Sequence, residues 1–256
     1  MPNDHSPLGI EARGVTKTFG RLAAVRDLNL QVAPGTLFGF LGPNGSGKST
    51  TIKLLTGLLA PTAGEVRVAG QTVTLENIEL RRVIGILPED AALFHSLTIW
   101  EHLELSGPLY GLSRQETRAR AIQLLRHLDL ERDSGNYIDQ ASYGMRKKCA
   151  LAMALLHNPR ILFLDEPFEG IDPGSSRNIK DLLVALTEKG VTVFLTSHIL
   201  EVVERLVEQF AIIIRGEVVC CQTVAELMRA GMTLEEVYFK YAGEPDVGDL
   251  AWLGSR

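Results

Sequence analysis

Residues 42–49 read Gly42-Pro43-Asn44-Gly45-Ser46-Gly47-Lys48-Ser49, the spacing G-x-x-x-x-G-K-[ST], with Thr50 directly after. Three glycines let a short loop curl until successive backbone N–H groups point at one centre, which suits an anion. A helix starting at that point adds the positive end of its dipole. Lys48 can then reach the β- and γ-phosphates of a nucleotide, and the Ser49 hydroxyl can ligate Mg²⁺. A plain glycine turn between strand and helix needs neither Lys48 nor Ser49, so the segment is read as a phosphate cradle.

A cradle alone does not specify a reaction. Arg160-Ile-Leu-Phe-Leu-Asp165-Glu166 supplies an apolar strand ending in two carboxylates. Strand side chains alternate between faces, so the two acids are expected to do different work. Asp165 fits a partner for Mg²⁺, through a water, and Glu166 fits the general base that polarises an attacking water. Thr196-Ser197-His198 ends the next apolar run. Coming after two phosphate-site motifs, His198 suits a sensor of the γ-phosphate and the water.

These groups need a scaffold that delivers them to one edge. Leu37-Phe-Gly-Phe-Leu41 is a continuous apolar run, short enough for a buried strand, and Ile52, Leu55 and Leu59 mark one face of a helix after the loop. The N-terminal third otherwise reads as short strands, including Ile10–Arg13, Asn29–Val32 and Glu65–Val68, with a turn at Pro34-Gly35. Residues from about 90 to 157 read as almost wholly helical, with capping boxes at Thr98–Glu101 and Ser113–Glu116. Strand and helix alternate after Pro159: strands 161–164 and 191–195, helices 176–188 and 199–207. A hairpin over Arg215-Gly216 follows. Such alternation predicts an α/β core with a largely parallel sheet. Boxes at Thr223–Glu226 and Thr233–Glu236 start short helices, and the Gly-, Pro- and Asp-rich tail after Ala242 reads as loose.

The composition is ordinary for a globular chain of 256 residues, with 45% hydrophobic and 22% charged residues. A net charge of −5 argues against a broad basic face for nucleic acid. Cys149, Cys220 and Cys221 lack the spacing of a disulfide framework or zinc site and read as small buried apolar residues. The N-terminus lacks the layout of a signal peptide, and no apolar run approaches the ~18 residues needed to cross a bilayer. A soluble, cytoplasmic protein is expected, free to dock on a membrane protein.

With these motifs in place, the chain resembles the ATP-binding cassette (ABC) ATPases, in particular the nucleotide-binding subunits of ABC transporters. The segment Ala141-Ser142-Tyr143-Gly144-Met145 resembles the family's signature, in which a hydroxyl and N–H groups at a helix start hold a γ-phosphate. Ser142 also reads as an ordinary N-cap, and one residue can do both. Tyr143 and Met145 replace the usual glycine and glutamine, a form similar to that of exporter subunits. Gly170-Ile171-Asp172-Pro173 resembles the loop that places Asp172 at a dimer interface. Phe19 sits where the family puts an aromatic against adenine, although core packing explains it nearly as well. Glu89, in Leu-Pro-Glu89, stands where glutamine is usual; it adds charge beside an anionic site and takes away an N–H donor.

The resemblance implies a P-loop NTPase core of ABC type, with an N-terminal antiparallel β-subdomain and an inserted helical subdomain. The ATPase domain would span residues 8–222, the helical subdomain about 90–157, and a short helical extension and tail 223–256. ATP and Mg²⁺ are the implied cofactors, with Ser49, Glu89 and Asp165 about the metal. ATP would lie between Lys48 of one subunit and Ser142 and Gly144 of another, in a homodimer or a heterodimer with a related chain. A polytopic permease would hold the pair at the cytoplasmic face of the cell membrane, and export is the implied direction. A soluble cassette ATPase of the cluster-assembly type is the alternative. A small-molecule kinase leaves Ser142, Gly144, Asp172 and His198 without a joint role.

Overall fold

Short apolar runs separated by glycine turns give the front of the chain its strands. The computed structural model describes residues 9–243. Strands β1 (Ile10–Phe19) and β2 (Leu22–Val32) form a hairpin, followed by β3 (Leu37–Leu41) and helix α1 (Lys48–Leu55). Next come β4 (Ala63–Val68), β5 (Gln71–Thr72), α2 (Ile78–Val83) and β6 (Ile84–Leu87). Helices α3 (Ile99–Leu109), α4 (Arg114–His127) and α5 (Tyr143–Leu156) follow. The chain then alternates through β7 (Ile161–Leu164), α6 (Pro173–Glu188), β8 (Thr192–Ser197) and α7 (Leu200–Glu204). The hairpin β9 (Gln209–Ile214) and β10 (Glu217–Thr223) precedes α8 (Val224–Arg229) and α9 (Leu234–Ala242).

Two sheets result. The first is antiparallel, in the order β2-β1-β4-β5. The second has the order β10-β9-β3-β8-β7-β6 and is parallel except for the antiparallel edge pair β9–β10. Its strands β3, β7 and β8 are buried on both faces, which explains why they read as continuous apolar runs. Period-two alternation sorts their side chains. Phe38, Phe40, Phe163 and Phe194 join the core shared with α1 and the first sheet. Leu37, Leu41, Leu162, Leu164, Val193 and Leu195 join the core shared with α3 to α7. Phe38 and Phe194 stack at 5.4 Å between centroids, and each fully buried ring contributes about 1.5–3 kcal/mol of apolar transfer free energy. The rigid central sheet results from these faces, and its C-terminal strand ends carry the site.

Both central capping boxes form, with Thr98 and Ser113 accepting from the N–H of Glu101 and Glu116; so do the boxes at Thr223 and Thr233. The stretch 90–157 is not helical throughout. Residues 88–98 and 128–142 are irregular, bearing Pro88, a left-handed Asp129 (φ 53) and the turn sequence Asp133-Ser-Gly-Asn136. The first irregular stretch is clipped down where the Phe94 N–H donates to His102 Nε2 at 2.9 Å. Helix α6 begins earlier than expected, with Pro173 in its first turn, and α7 stops after five residues. Leu59 lies beyond the end of α1, although it still packs on the same core as Ile52 and Leu55.

The cysteines do not share one environment. Cys149 is buried and its thiol is pushed up to about 12 by desolvation, whereas Cys220 is half-buried and Cys221 exposed. Neighbours on an edge strand face opposite ways, so the two cannot both enter the core. The expected loose tail after Ala242 and the start of the ATPase domain at residue 8 fall mainly outside the described residues.

Candidate active site

The loop after β3 owes its shape to close packing. Gly47 has φ 112, and a Cβ there would meet Ala24 O at 2.5 Å, so the loop can lie against β2 only with glycine at this position. The hairpin turn Arg215-Gly216 fastens the other side: the Gly216 N–H donates to Ser46 O at 2.9 Å and the Arg26 N–H donates to Gly216 O at 2.8 Å. The loop then runs directly into α1, whose first residue is Lys48.

A cleft of about 800 Å³ opens over this loop. Its wall includes Asn44, Gly45, Gly47, Lys48, Ser49 and Thr50, together with Phe19, Glu89 and Glu166. Gly42 lies beneath, its carbonyl accepting from Lys48 Nζ at 2.9 Å. Pro43 and Ser46 line a separate hollow behind the loop, with Arg215, Tyr241 and Ala242. The Phe19 ring is half exposed, with Lys17 Nζ 5.3 Å from its centre, and it forms cleft wall rather than core.

The carboxylates occupy different places for a reason other than the pleat. Strand β7 ends at Leu164, and Glu166 adopts a left-handed conformation (φ 49), uncommon for a residue with a Cβ. This turn sends the Glu166 side chain toward the loop, where Oε1 lies 3.5 Å from Lys48 Nζ and Oε2 lies 3.0 Å from His198 Nδ1. The His198 N–H also donates to Oε2 at 3.3 Å. Both acids are almost fully buried. Glu89 stays exposed, and the Ser49 hydroxyl donates to its Oε2 at 3.4 Å.

Thr196 supplies a contact that the sequence did not reveal. Its hydroxyl donates to Asp165 Oδ1 at 2.5 Å and accepts from the Glu166 N–H at 3.0 Å, so one side chain fixes both acids. The polar run Thr-Ser-His at a strand end was the available signal. Leu22, Ala23, Ala24 and Arg26 of β2 also wall the cleft, and nothing in their types marked them.

Ser142, Gly144 and Asp172 do not line the cleft. Ser142 is exposed and caps α5, accepting from the Met145 N–H at 3.2 Å. Asp172 caps α6, and hydrogen bonds from Ser175 hold its carboxyl below the usual aspartate range.

The residues present fit a nucleoside triphosphate. Glu166 Oε1 is buried with no hydrogen-bond partner among the described residues, an acceptor open to a water at the cleft wall. Gly45, Gly47, Lys48, Ser49 and Thr50 line that cleft at the start of α1, where a helix dipole favours an anion. Among the described residues no three His, Cys, Asp or Glu side chains form a metal cage.

A parallel sheet with a strand–loop–helix phosphate cradle at its C-terminal edge defines a P-loop nucleoside triphosphatase. The sequence pattern of one such family, described as ABC transporter, matches residues 25–169. The chain is 36% identical over 218 residues to the linearmycin resistance ATP-binding protein LnrL of Bacillus subtilis, covering 85% of this chain and 70% of that one. It is 38% identical over 236 residues to the daunorubicin resistance ATP-binding protein DrrA3 of Streptomyces coeruleorubidus, covering 92% and 75%. Its fold is similar to the dimeric structure of MJ0796, a bacterial ABC transporter cassette, with a TM-score of 0.79 at 31% identity over 84% of this chain and 98% of that one. This chain belongs to the ABC transporter family as an ATP-binding subunit.

Proposed function

We propose that the chain hydrolyses ATP to drive a membrane exporter, working as one half of a two-subunit sandwich. The observation that carries this reading is the Glu166 carboxylate held between Lys48 and His198 at the wall of a phosphate cradle. A carboxylate so placed accepts a proton from water while lysine and loop N–H groups stabilise charge on the phosphates. Residues 8–222 form the ATPase unit in this reading, and 223–256 an extension to it. Phe19 stacks on the base, Ser142 and Gly144 complete the site of the paired subunit, and Asp172 lies at the interface between them. Two-fold symmetry then places two ATP molecules between the subunits. The relatives named for linearmycin and daunorubicin resistance support export, and the dimeric cassette supports pairing.

Mg²⁺ would be held by Ser49 and, through water, by Asp165 and Glu89, and it supplies charge neutralisation to the bound phosphates. Glu89 brings a full negative charge next to Ser49. Glu89→Gln is therefore expected to raise the Mg²⁺ concentration for half-maximal ATPase by about fivefold, the loss of ~1 kcal/mol of attraction between nearby charges in water. Superimposable Mg²⁺ titrations of the two proteins would remove Glu89 from the metal's surroundings.

Among the described residues no helix is long and apolar enough to cross a membrane. The transport partner in this reading is a polytopic permease. A groove of about 420 Å³ between the strand ends and the helical segment is lined by Leu58, Ile86, Leu93, Leu109 and Met153, and it is the place for it. Leu109 is 76% exposed on its rim. Detergent purification of the tagged chain should bring down a polytopic membrane protein, and Leu109→Glu should lose it. Recovery of the wild-type chain from membranes and soluble fractions alike without such a protein favours the soluble cassette ATPase instead.

A further inference from the structure

Tyr143, the first residue of α5, lies with its ring on Gly170. Gly170 has φ 66, and a Cβ there would run into ring atoms Cδ1 and Cε1, so the aromatic ring occupies the room that glycine leaves. Gly144 approaches from the same side: a Cβ on it would stand 3.3 Å from Gly170 O. One helical turn further on, Lys147 Nζ lies 5.4 Å from the centre of the Tyr143 ring and 3.5 Å from its hydroxyl. Lys147 is only 4% exposed, an unusual place for an ammonium group.

The surroundings explain why that charge is tolerated. Burial pulls the Lys147 ammonium below its usual value, while the carboxylates of Glu169, Glu166, Glu89 and Asp165 act in the opposite direction. The ring face gives the cation a further favourable surface. These acids sit on the two loops that follow β6 and β7, so Lys147 is a positive charge from α5 in the field of both loops.

Position in the chain gives this contact its meaning. Ser142 immediately precedes Tyr143. Gly170 closes the short turn that begins at Glu166, where the Glu169 N–H donates to Glu166 O at 3.2 Å. We propose that the Tyr143 ring, seated on Gly170 and backed by Lys147, is a brace that transmits engagement of Ser142 to the Glu166 loop of the same chain. This rests on the sandwich reading, in which Ser142 serves the nucleotide of the paired subunit and Glu166 acts on its own. Each chain then links one composite site to the other, and the two hydrolyse in concert. Tyr143 and Lys147 are positioning residues, since neither lines the nucleotide cleft.

The test compares steady-state ATPase of wild type, Tyr143→Phe, Tyr143→Ala and Lys147→Met over a range of ATP concentrations. Each variant is checked by thermal melting, and dimer formation is followed by gel filtration in a Glu166→Gln background. Wild type should give a Hill coefficient approaching about 2, the number of sites, and Tyr143→Phe should keep it because the ring remains. Tyr143→Ala and Lys147→Met should bring it to about 1. They should also cut kcat about tenfold, with half-saturation within about threefold of wild type. ATP should still dimerise both in the Glu166→Gln background. If Tyr143→Ala melts early, Tyr143→Leu, which keeps an apolar contact without the ring, replaces it. Wild-type kcat and cooperativity in both folded variants would overturn the brace, as would non-cooperative hydrolysis by wild type when Glu166→Gln still dimerises with ATP. Non-cooperative wild type together with a Glu166→Gln protein that stays monomeric would take down the sandwich reading itself and the brace with it.

Discussion

Glu166→Gln is expected to leave a protein that binds ATP, stays paired, and turns over roughly 10²–10⁴ times more slowly, the span that a general base contributes. The substitution keeps the volume of the side chain and one carbonyl oxygen, so the left-handed turn at residue 166 and the contact with the His198 N–H can persist. What it removes is the capacity to take a proton. The amide also presents an N–H₂ group where Oε1 now faces Lys48 at 3.5 Å. In the proposed sandwich hydrolysis is the step that separates the subunits, so blocking it should accumulate the closed pair. Gel filtration at saturating Mg-ATP should show a dimer for this variant and a mixture or monomer for wild type. A monomer for both, with tight ATP binding measured independently, would leave the two-subunit site without support.

Lys48→Met should do comparable damage by another route. Lys48 is nearly buried and holds the loop closed through the carbonyls of Gly42 and Pro43, at 2.9 and 3.4 Å. In the proposed site its removal takes away a positive charge facing the phosphates, with kcat expected to fall about 10²–10³-fold, as for loss of a preorganised electrostatic contact. The nucleotide-free protein should suffer too. Glu166 Oε1 has no hydrogen-bond partner among the described residues and has Lys48 as its neighbouring cation. Stranding a buried polar group costs roughly 1–3 kcal/mol. Adding Glu166→Gln to Lys48→Met should recover most of that loss in melting temperature while recovering no activity. Additive destabilisation in the double variant would mean that the two side chains do not interact across the cleft.

The parts of the site that were legible in the sequence are those built from contiguous residues. The loop 42–50 needs its glycines, lysine and serine in fixed order, so the order itself is the signal. Asp165, Glu166 and His198 stand at the ends of strands whose apolar runs are unmistakable. What stayed hidden depends on contacts between segments far apart in the chain. Thr196 becomes important only because β8 lies beside β7, which places its hydroxyl over Asp165. Arg215-Gly216 reads as a turn, and only the folded sheet brings it against Ser46.

The different placements of Asp165 and Glu166 were anticipated, but from the wrong cause. Pleating would separate them if the strand continued, and the strand stops one residue earlier. Local turn signals at Asp133–Asn136 were present and were outweighed by the helical pattern around them. Likewise, the paired cysteines of β10 were read by composition, whereas an edge strand gives its two faces opposite environments.

The placement of β3 has a consequence for how the chain comes to exist. This strand carries the phosphate loop, yet its neighbours in the sheet are β8 and β9, residues 192–197 and 209–214. As the polypeptide leaves the ribosome, residues 37–41 emerge long before either flanking strand has been made. The nascent loop must wait, its apolar strand unpaired, until most of the message has been translated, which is the circumstance in which chaperones and synthesis rate matter. A prematurely terminated product lacking β8 and β9 would retain every residue of the cradle and no sheet to hold it open.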